Sequence, residues 1–146
     1  MHLRVDVVRE ASQEVVDAFG RLLPQLSSTA KPLDREAVDR MVRCDANTVL
    51  VARTPEAIVG TLTLVLSPLP SGLRARIEDV VVDGAARGRG VAGLLTEEAV
   101  RIAREAGART VDLTSRPDRA AANRLYERVG FRSRRSTVFR LPLDER

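Results

Sequence analysis

The sequence predicts an α/β chain of the α+β type: a central mixed, mostly antiparallel, twisted sheet with one parallel β-α-β crossover and about four helices. Three observations carry that expectation. The first half alternates β-branched runs with turn residues at hairpin spacing. The second half switches to apolar positions at helical spacing between short strand-like runs. The composition, 44% hydrophobic and 30% charged over 146 residues, is that of an ordinary globular protein. That length matches one domain burying about two-thirds of its unfolded surface, so residues 1–146 are expected to form a single domain.

Each element has its own signal. Leu3 to Val8 alternates apolar and polar residues, the pattern of a half-buried strand. Ser12 is placed to cap a helix with Val15, Val16, Phe19, Leu22 and Leu23 on its apolar stripe, and Pro24 is expected to end it. Ser27 to Leu33 reads as a loop. Asp34 then caps a second helix that buries Ala37, Val38, Met41 and Val42. Thr48 to Ala52 and Ala57 to Leu66 are strands joined at Thr54-Pro55-Glu56, Pro68, Pro70 and Gly72 mark the next turn, and Arg76 to Val82 is the following strand. From Val91, the residues Leu94, Leu95, Ala99, Ile102, Ala103 and Ala106 recur at helical spacing up to Gly107. Thr110 to Thr114 is a short strand that closes the crossover, for which a right-handed connection is expected. Asp118 is placed to cap a last helix with Ala122, Leu125 and Val129 inside and Gly130 at its end, and Thr137 to Leu141 reads as a final strand.

Several function classes fall away on composition. Cys44 is the one cysteine and His2 the one histidine, so no intrachain disulfide, no Cys/His metal site and no histidine catalysis are expected; metal ligands: none. Charge is mixed into Met1 to Glu10, unlike a secretory leader, and no apolar run approaches the ~20 residues of a membrane span. The expectation is a cytoplasmic protein with no membrane partner. The net charge is +4, yet 23 of the 24 basic residues are arginines scattered among 20 acidic ones, Lys31 being the exception. With only 3% aromatic residues there is no stacking surface, so no nucleic-acid partner is expected.

The chemistry concentrates after the strand Ile77-Glu78-Asp79-Val80-Val81-Val82-Asp83. Gly88, Gly90 and Gly93 allow a ligand to approach the backbone, and the first N–H groups of the following helix lack intrahelical partners and suit anionic oxygens. Arg87 and Arg89 add fixed positive charge beside that helix end. Gly88-Arg89-Gly90-Val91-Ala92-Gly93 also satisfies the dinucleotide pattern G-x-G-x-x-G, with Asp112 about 20 residues on. In dinucleotide folds, however, the glycines follow the strand almost directly and open the domain, whereas here Asp83 to Arg87 intervenes and over half the chain comes first.

The same residues resemble another pattern more closely. Arg87-Gly88-Arg89-Gly90-Val91-Ala92 is similar to the Q/R-x-x-G-x-G/A acetyl-CoA signature of the GNAT N-acetyltransferase superfamily, and Leu125-Tyr126-Glu127-Arg128-Val129-Gly130-Phe131 resembles its closing L-Y-x-x-x-G-F motif. The resemblance covers Arg74 to Leu143 well and the amino-terminal half by element order alone; Ile77 to Asp83 is locally similar to the glucosamine-phosphate acetyltransferase branch. It implies a GNAT-like fold and acetyl-CoA as cosubstrate. Backbone groups along Val80, Val81 and Val82 would hold the pantetheine arm as an added strand, and Arg87, Gly88, Arg89, Gly90, Val91, Ala92 and Gly93 would hold the pyrophosphate. Tyr126 would stand near the thioester sulfur as general acid. Where many members carry asparagine seven residues before this tyrosine, this chain has Arg119; Asn123, three residues before it and on the same helix face, is the candidate to take over a pantetheine contact.

The reaction so implied makes three demands: a donor for a developing oxyanion, help for a departing thiolate, and an unprotonated amine. A backbone N–H near Val80 suits the first. Tyr126 suits the second mainly by hydrogen bonding, since a phenol near ~10 is a weaker acid than a thiol near ~8.5. A lysine-like amine is neutral about once in 10³ to 10⁴ molecules at pH 7, a handicap of roughly 4 to 5 kcal/mol, whereas an α-amine loses only about 1. A carboxylate base answers the third demand. Glu78 and Asp79 point to opposite sides of a regular strand, so at least one is expected to be partly desolvated and raised in pKa; Glu78 is the favoured base, acting through water, with Asp79 as the other candidate.

The expected function is therefore transfer of acetyl from acetyl-CoA directly to a primary amine of a small molecule or protein, with a bulkier CoA thioester as a second donor. A non-catalytic acyl-CoA sensor or binding module is the alternative. The acceptor itself carries no signal, and a homodimer is compatible with the sequence.

Overall fold

Five strands line up in sequence order in the computed structural model, which describes residues 2–144: β1 (Arg4–Val7), β2 (Asn47–Arg53), β3 (Ile58–Leu69), β4 (Gly72–Val82) and β5 (Val111–Asp112). The first four pair antiparallel and β5 runs parallel to β4. The described residues form four α-helices, α1 (Gln13–Leu26), α2 (Arg35–Arg43), α3 (Val91–Glu105) and α4 (Ala120–Val129). The mixed sheet with a β4-α3-β5 crossover is thus the expected fold class. The chain divides into two compact units, Met1–Thr114 and Ser115–Arg146.

In the first unit the caps fall where the sequence places them. Ser12 accepts from the Val15 N–H at 3.3 Å and Asp34 from the Ala37 N–H at 2.8 Å, each satisfying a donor that the helix itself cannot. Pro24 does not end α1. The helix runs on to Leu26, with the Ser27 N–H donating to the Leu23 carbonyl at 3.0 Å, because so near the end a proline forfeits one bond and interrupts little. Thr54 organises the β2–β3 turn, its hydroxyl accepting from the N–H groups of Glu56 and Ala57. The β3–β4 turn is tighter than expected: Leu69 pairs with Gly72, so Pro70 and Ser71 make the whole turn and Pro68 lies within β3 opposite Leu73. Beyond Leu66 that strand has lost its β2 neighbour, so an absent N–H is tolerated there.

Alternation along the strands sends side chains to two layers. Val49, Val51, Ile58 and Val81 join Val15, Ala18, Phe19, Leu22 and Val38 from α1 and α2 in one cluster. On the other face α3 packs on β2, β3 and β4, burying Val91, Leu95, Ala99 and Ala103. Gly60 sets that approach: a Cβ there would stand 2.9 Å from Val91 Cγ1 and 3.3 Å from Leu95 Cδ1. The missing side chain lets the first turn of α3 lie directly on β3.

In the second unit, Arg119 precedes α4 without a side-chain cap, so Asp118 does not act as one. Gly130, at φ 124°, ends the helix as expected, and its N–H reaches the Tyr126 and Glu127 carbonyls. No strand forms over the described residues 131–144, and Thr137 to Leu141 is irregular. Val138, Phe139, Leu141 and Leu143 are all exposed there. An alternating pattern becomes a strand only beside another strand, and this unit contains no second one. The short strand at Thr110 to Thr114 is likewise trimmed to Val111–Asp112.

Replacing Gly60 with alanine should lower unfolding free energy by about 1–3 kcal/mol, because Val91 is β-branched in a helix and has little rotamer freedom to yield. Urea unfolding followed by circular dichroism measures this; an unchanged midpoint would show that α3 does not depend on the close approach.

Candidate active site

The sheet is irregular at one decisive place. Thr61 pairs with Val81 and Thr63 with Glu78, so Leu62 alone faces two residues, Asp79 and Val80. This is a β-bulge, and Asp79 adopts a φ of 52°, a left-handed conformation uncommon outside glycine. The bulge resets the alternation of β4. Ile77, paired with Leu64, lies on the α3 face, whereas Val81, four residues later, belongs to the α1–α2 cluster. Glu78 and Asp79 therefore do not alternate as on a regular strand.

The strand also runs alone on one side from this point. β5 pairs with β4 only at Ala75 and Arg76, so no described strand flanks residues 77–82 on the outer edge. Val81 is buried and Val80 and Val82 are half-buried along that stretch. An extended ligand could lie there and take the place of a neighbouring strand.

The two carboxylates have different surroundings. Glu78 is half-exposed and ion-paired to Arg76 at 3.0 Å, two residues back on the same strand face. The carboxyl of Asp79 is pushed above the usual aspartate range, first by partial desolvation and then by the neighbouring Glu78 carboxylate. That displacement moves Asp79 toward the pH range where a general base is useful.

Past Val82 the chain is tied down residue by residue. The Asp83 N–H donates to the Val59 carbonyl at 2.8 Å, the Gly84 N–H to Gln25 Oε1 at 2.8 Å, the Ala85 N–H to Asp83 Oδ1 at 3.1 Å and the Ala86 N–H to the Asp83 carbonyl at 2.8 Å. A single 3₁₀ turn, Gly84–Ala86, results. Conditions then change abruptly. Gly88 and Gly90 both have φ 79°, and a Cβ on either would meet nothing within 4 Å. The first intrahelical bond of α3 is Leu94 N–H to Gly90 O, so among the described residues the N–H groups of Val91, Ala92 and Gly93 have no partner. Arg87 and Arg89 stand exposed beside them. Val91 sits over Gly60, and Gly60 is the register partner of Val82, so this helix end is fixed against the end of β4. Free donors, a positive helix terminus and open space together suit an anion at this point, a candidate cradle.

Tyr126 and Asn123 lie on α4 in the second unit. Tyr126 is buried, packs edge-on against Phe131 at 5.9 Å between ring centres, and has its hydroxyl pKa raised by burial against a smaller lowering from the Arg119 guanidinium. It keeps its proton. Asn123 spends its amide locally, Oδ1 accepting from the Ser115 hydroxyl at 2.6 Å and Nδ2 donating to the Arg116 carbonyl at 3.0 Å. It thus orders the 115–119 loop, where sequence reasoning had only a ligand contact in view.

Three participants escaped the sequence reading. Asp83 before Gly84-Ala85-Ala86 is a recognisable turn signal. Gly60 and Gln25 carry none, since each acts on a residue remote in the chain. A separate open groove, lined by Glu10, Ala11, Ser12, Arg35, Glu36 and Asp39, shares no residue with the β4–α3 region.

The chain is similar to known proteins over most of its length. The model of the acetyltransferase (GNAT) family matches residues 13–131. A protein of Oryza sativa subsp. japonica named "Probable glucosamine 6-phosphate N-acetyltransferase 2" is 33% identical over 138 residues, covering 87% of this chain and 81% of that protein. The crystal structure of a Trypanosoma brucei acetyltransferase superposes with a TM-score of 0.80 at 30% identity, covering 97% of this chain and 100% of the other. The structure of AAC(6')-Iy in complex with the bisubstrate analogue CoA-S-monomethyl-acetylneamine has the same fold at 16% identity, with a TM-score of 0.79 and coverage of 97% and 99%.

Glu78→Gln removes the like charge beside Asp79 and should move the Asp79 titration to lower pH, toward that of an unperturbed aspartate. Carboxyl-carbon NMR titration reads this directly; an upward or absent shift would mean that the two carboxylates do not interact.

Proposed function

The chain belongs to the acetyltransferase (GNAT) family and is an acyl-CoA-dependent N-acetyltransferase, and from that premise we propose that it passes acetyl from acetyl-CoA directly to a primary amine of a small molecule or protein. The observation that carries this reading is the unflanked edge of β4 beyond the bulge, leading straight into the cradle at α3. Acetyl-CoA supplies an activated thioester and a diphosphate handle. Val80 and Val82 present backbone groups, with Val81 between them anchored in the core, so an extended pantetheine arm can add to the sheet edge. The N–H groups of Gly88 to Gly93 and the side chains of Arg87 and Arg89 face the diphosphate, in a space that no side chain fills at Gly88 and Gly90.

The remaining steps belong to three side chains. The Glu78–Asp79 pair accepts the proton of the incoming amine, directly or through water, and the raised Asp79 carboxyl holds it better than an ordinary carboxylate would. Tyr126, held neutral by burial, donates a hydrogen bond to the leaving sulfur; transferring its proton outright grows less favourable as its pKa rises. The described residues contain no cluster of three or more acidic, histidine or cysteine side chains fit for a metal, and the proposed route needs none.

Two experiments test this reading. Acetyl-CoA at 100 times its Kd should add about 2.7 kcal/mol of stability, seen as a rise in Tm; an unmoved Tm in excess ligand would remove the cradle assignment. With the best acceptor from a panel spanning amino sugar phosphates, aminoglycosides, polyamines and peptides, Tyr126→Phe should lower kcat by about 10² or more while the KM for acetyl-CoA stays within about twofold. Equal loss in both parameters would make Tyr126 a structural residue. Stabilisation without turnover on any amine would favour an acyl-CoA binding module instead.

A further inference from the structure

Gln25 is the penultimate residue of the first helix, far in sequence from the cradle, yet it holds the cradle's entry. Its Oε1 accepts the Gly84 N–H at 2.8 Å, while its Nε2 donates to the Arg21 carbonyl of its own helix at 3.2 Å. Arg21 is itself anchored, its guanidinium donating to the Ile58 carbonyl at the start of β3 at 2.9 Å. The amide is therefore fixed at both ends and cannot turn without breaking one contact. Of the hydrogen bonds that tie residues 83–86, four are made by the loop itself or by the adjoining strand β3; the one from the Gly84 N–H alone goes to a side chain of another element.

Gly84 opens the 3₁₀ turn that aims the chain at Arg87 and Gly88, ahead of the free N–H groups of Val91 to Gly93. With no side chain of its own, Gly84 resists rotation about its backbone less than any other residue would. The hydrogen bond to Gln25 supplies the missing restraint. Building on the proposed acetyl-CoA site, we infer that Gln25 is a positioning residue for the diphosphate loop: it touches no part of the ligand but sets the register in which residues 87–93 meet it. Because α1 leads within two residues into the connection to α2, the same hydrogen bond couples that connection, Ser27 to Leu33, to the donor loop.

This role predicts selectivity between two parts of one ligand. Gln25→Met keeps length and helix propensity but removes the acceptor. It should raise the Kd for CoA, measured by titration calorimetry, about threefold to tenfold, in line with one lost hydrogen bond. Pantetheine lacks the diphosphate and so does not reach the loop that Gln25 positions; its Kd, measured by ¹⁵N-resolved NMR titration at millimolar concentration, should change less than about twofold. The Gly84 amide should also exchange faster in the variant, with Tm within about 2 °C of the parent. An unchanged Kd for CoA, or equal weakening of CoA and pantetheine, would overturn the role of Gln25. Failure of the wild-type protein to prefer CoA over pantetheine would instead overturn the diphosphate cradle itself, so the two ideas fail separately.

Discussion

The site depends on one fault in the hydrogen-bonded ladder: two residues of β4, Asp79 and Val80, opposite the single residue Leu62 of β3. A regular strand would have sent Val81 to the α3 face, away from the cluster it joins on α1 and α2, and would have kept the polar side chains in step. The bulge costs backbone strain at Asp79, whose φ is one that side chains with a Cβ tolerate poorly. That strain is stored where β4 loses its outer neighbour, since β5 ends after pairing with Ala75 and Arg76. The backbone is thus turned at the point where its edge is bare.

The second constraint is how closely α3 lies on the sheet. Helix N-termini attract anions generally, but the useful property here is that this one is immobilised against the end of β4 through Gly60 and Val91. The N–H groups of residues 83–86 all have partners, so the unsatisfied ones concentrate at Val91 to Gly93. Charge follows the same division. Six arginines, at positions 4, 40, 43, 53, 76 and 101, form ion pairs with nearby acids on the described surface, and exposed pairs of this kind contribute little to stability. Arg87 and Arg89 stand together, exposed, just before α3.

The acidic groups have different surroundings. Partial desolvation and the Glu78 charge raise the carboxyl of the exposed Asp79, improving it as a proton acceptor, and burial raises the Tyr126 hydroxyl, keeping it a hydrogen-bond donor. Asn123 shows the opposite case, a polar side chain whose two ends are consumed by its own loop.

Most local structure was legible because it is written in nearby residues. Ser12 and Asp34 mark helix starts through side chains that reach three residues on, Gly107 and Gly130 mark ends by their positive φ, and the Gly88-Arg89-Gly90 stretch announces exposed backbone. Where the sequence misled, the deciding partner lay elsewhere in the chain or was absent: Pro68 entered a strand because β3 had outrun β2, and Thr137 to Leu141 stayed irregular for want of a strand in its own unit. The bulge has no local signature, since no glycine accompanies it. The sequence by itself determined the order of the elements from β1 to α4 and the caps at Ser12 and Asp34, because those depend on contacts a few residues apart. Only the tertiary structure decided the register that bends β4, the seat of α3 over Gly60 and the reach of Gln25 to Gly84, because each is a meeting of residues that no short-range pattern couples.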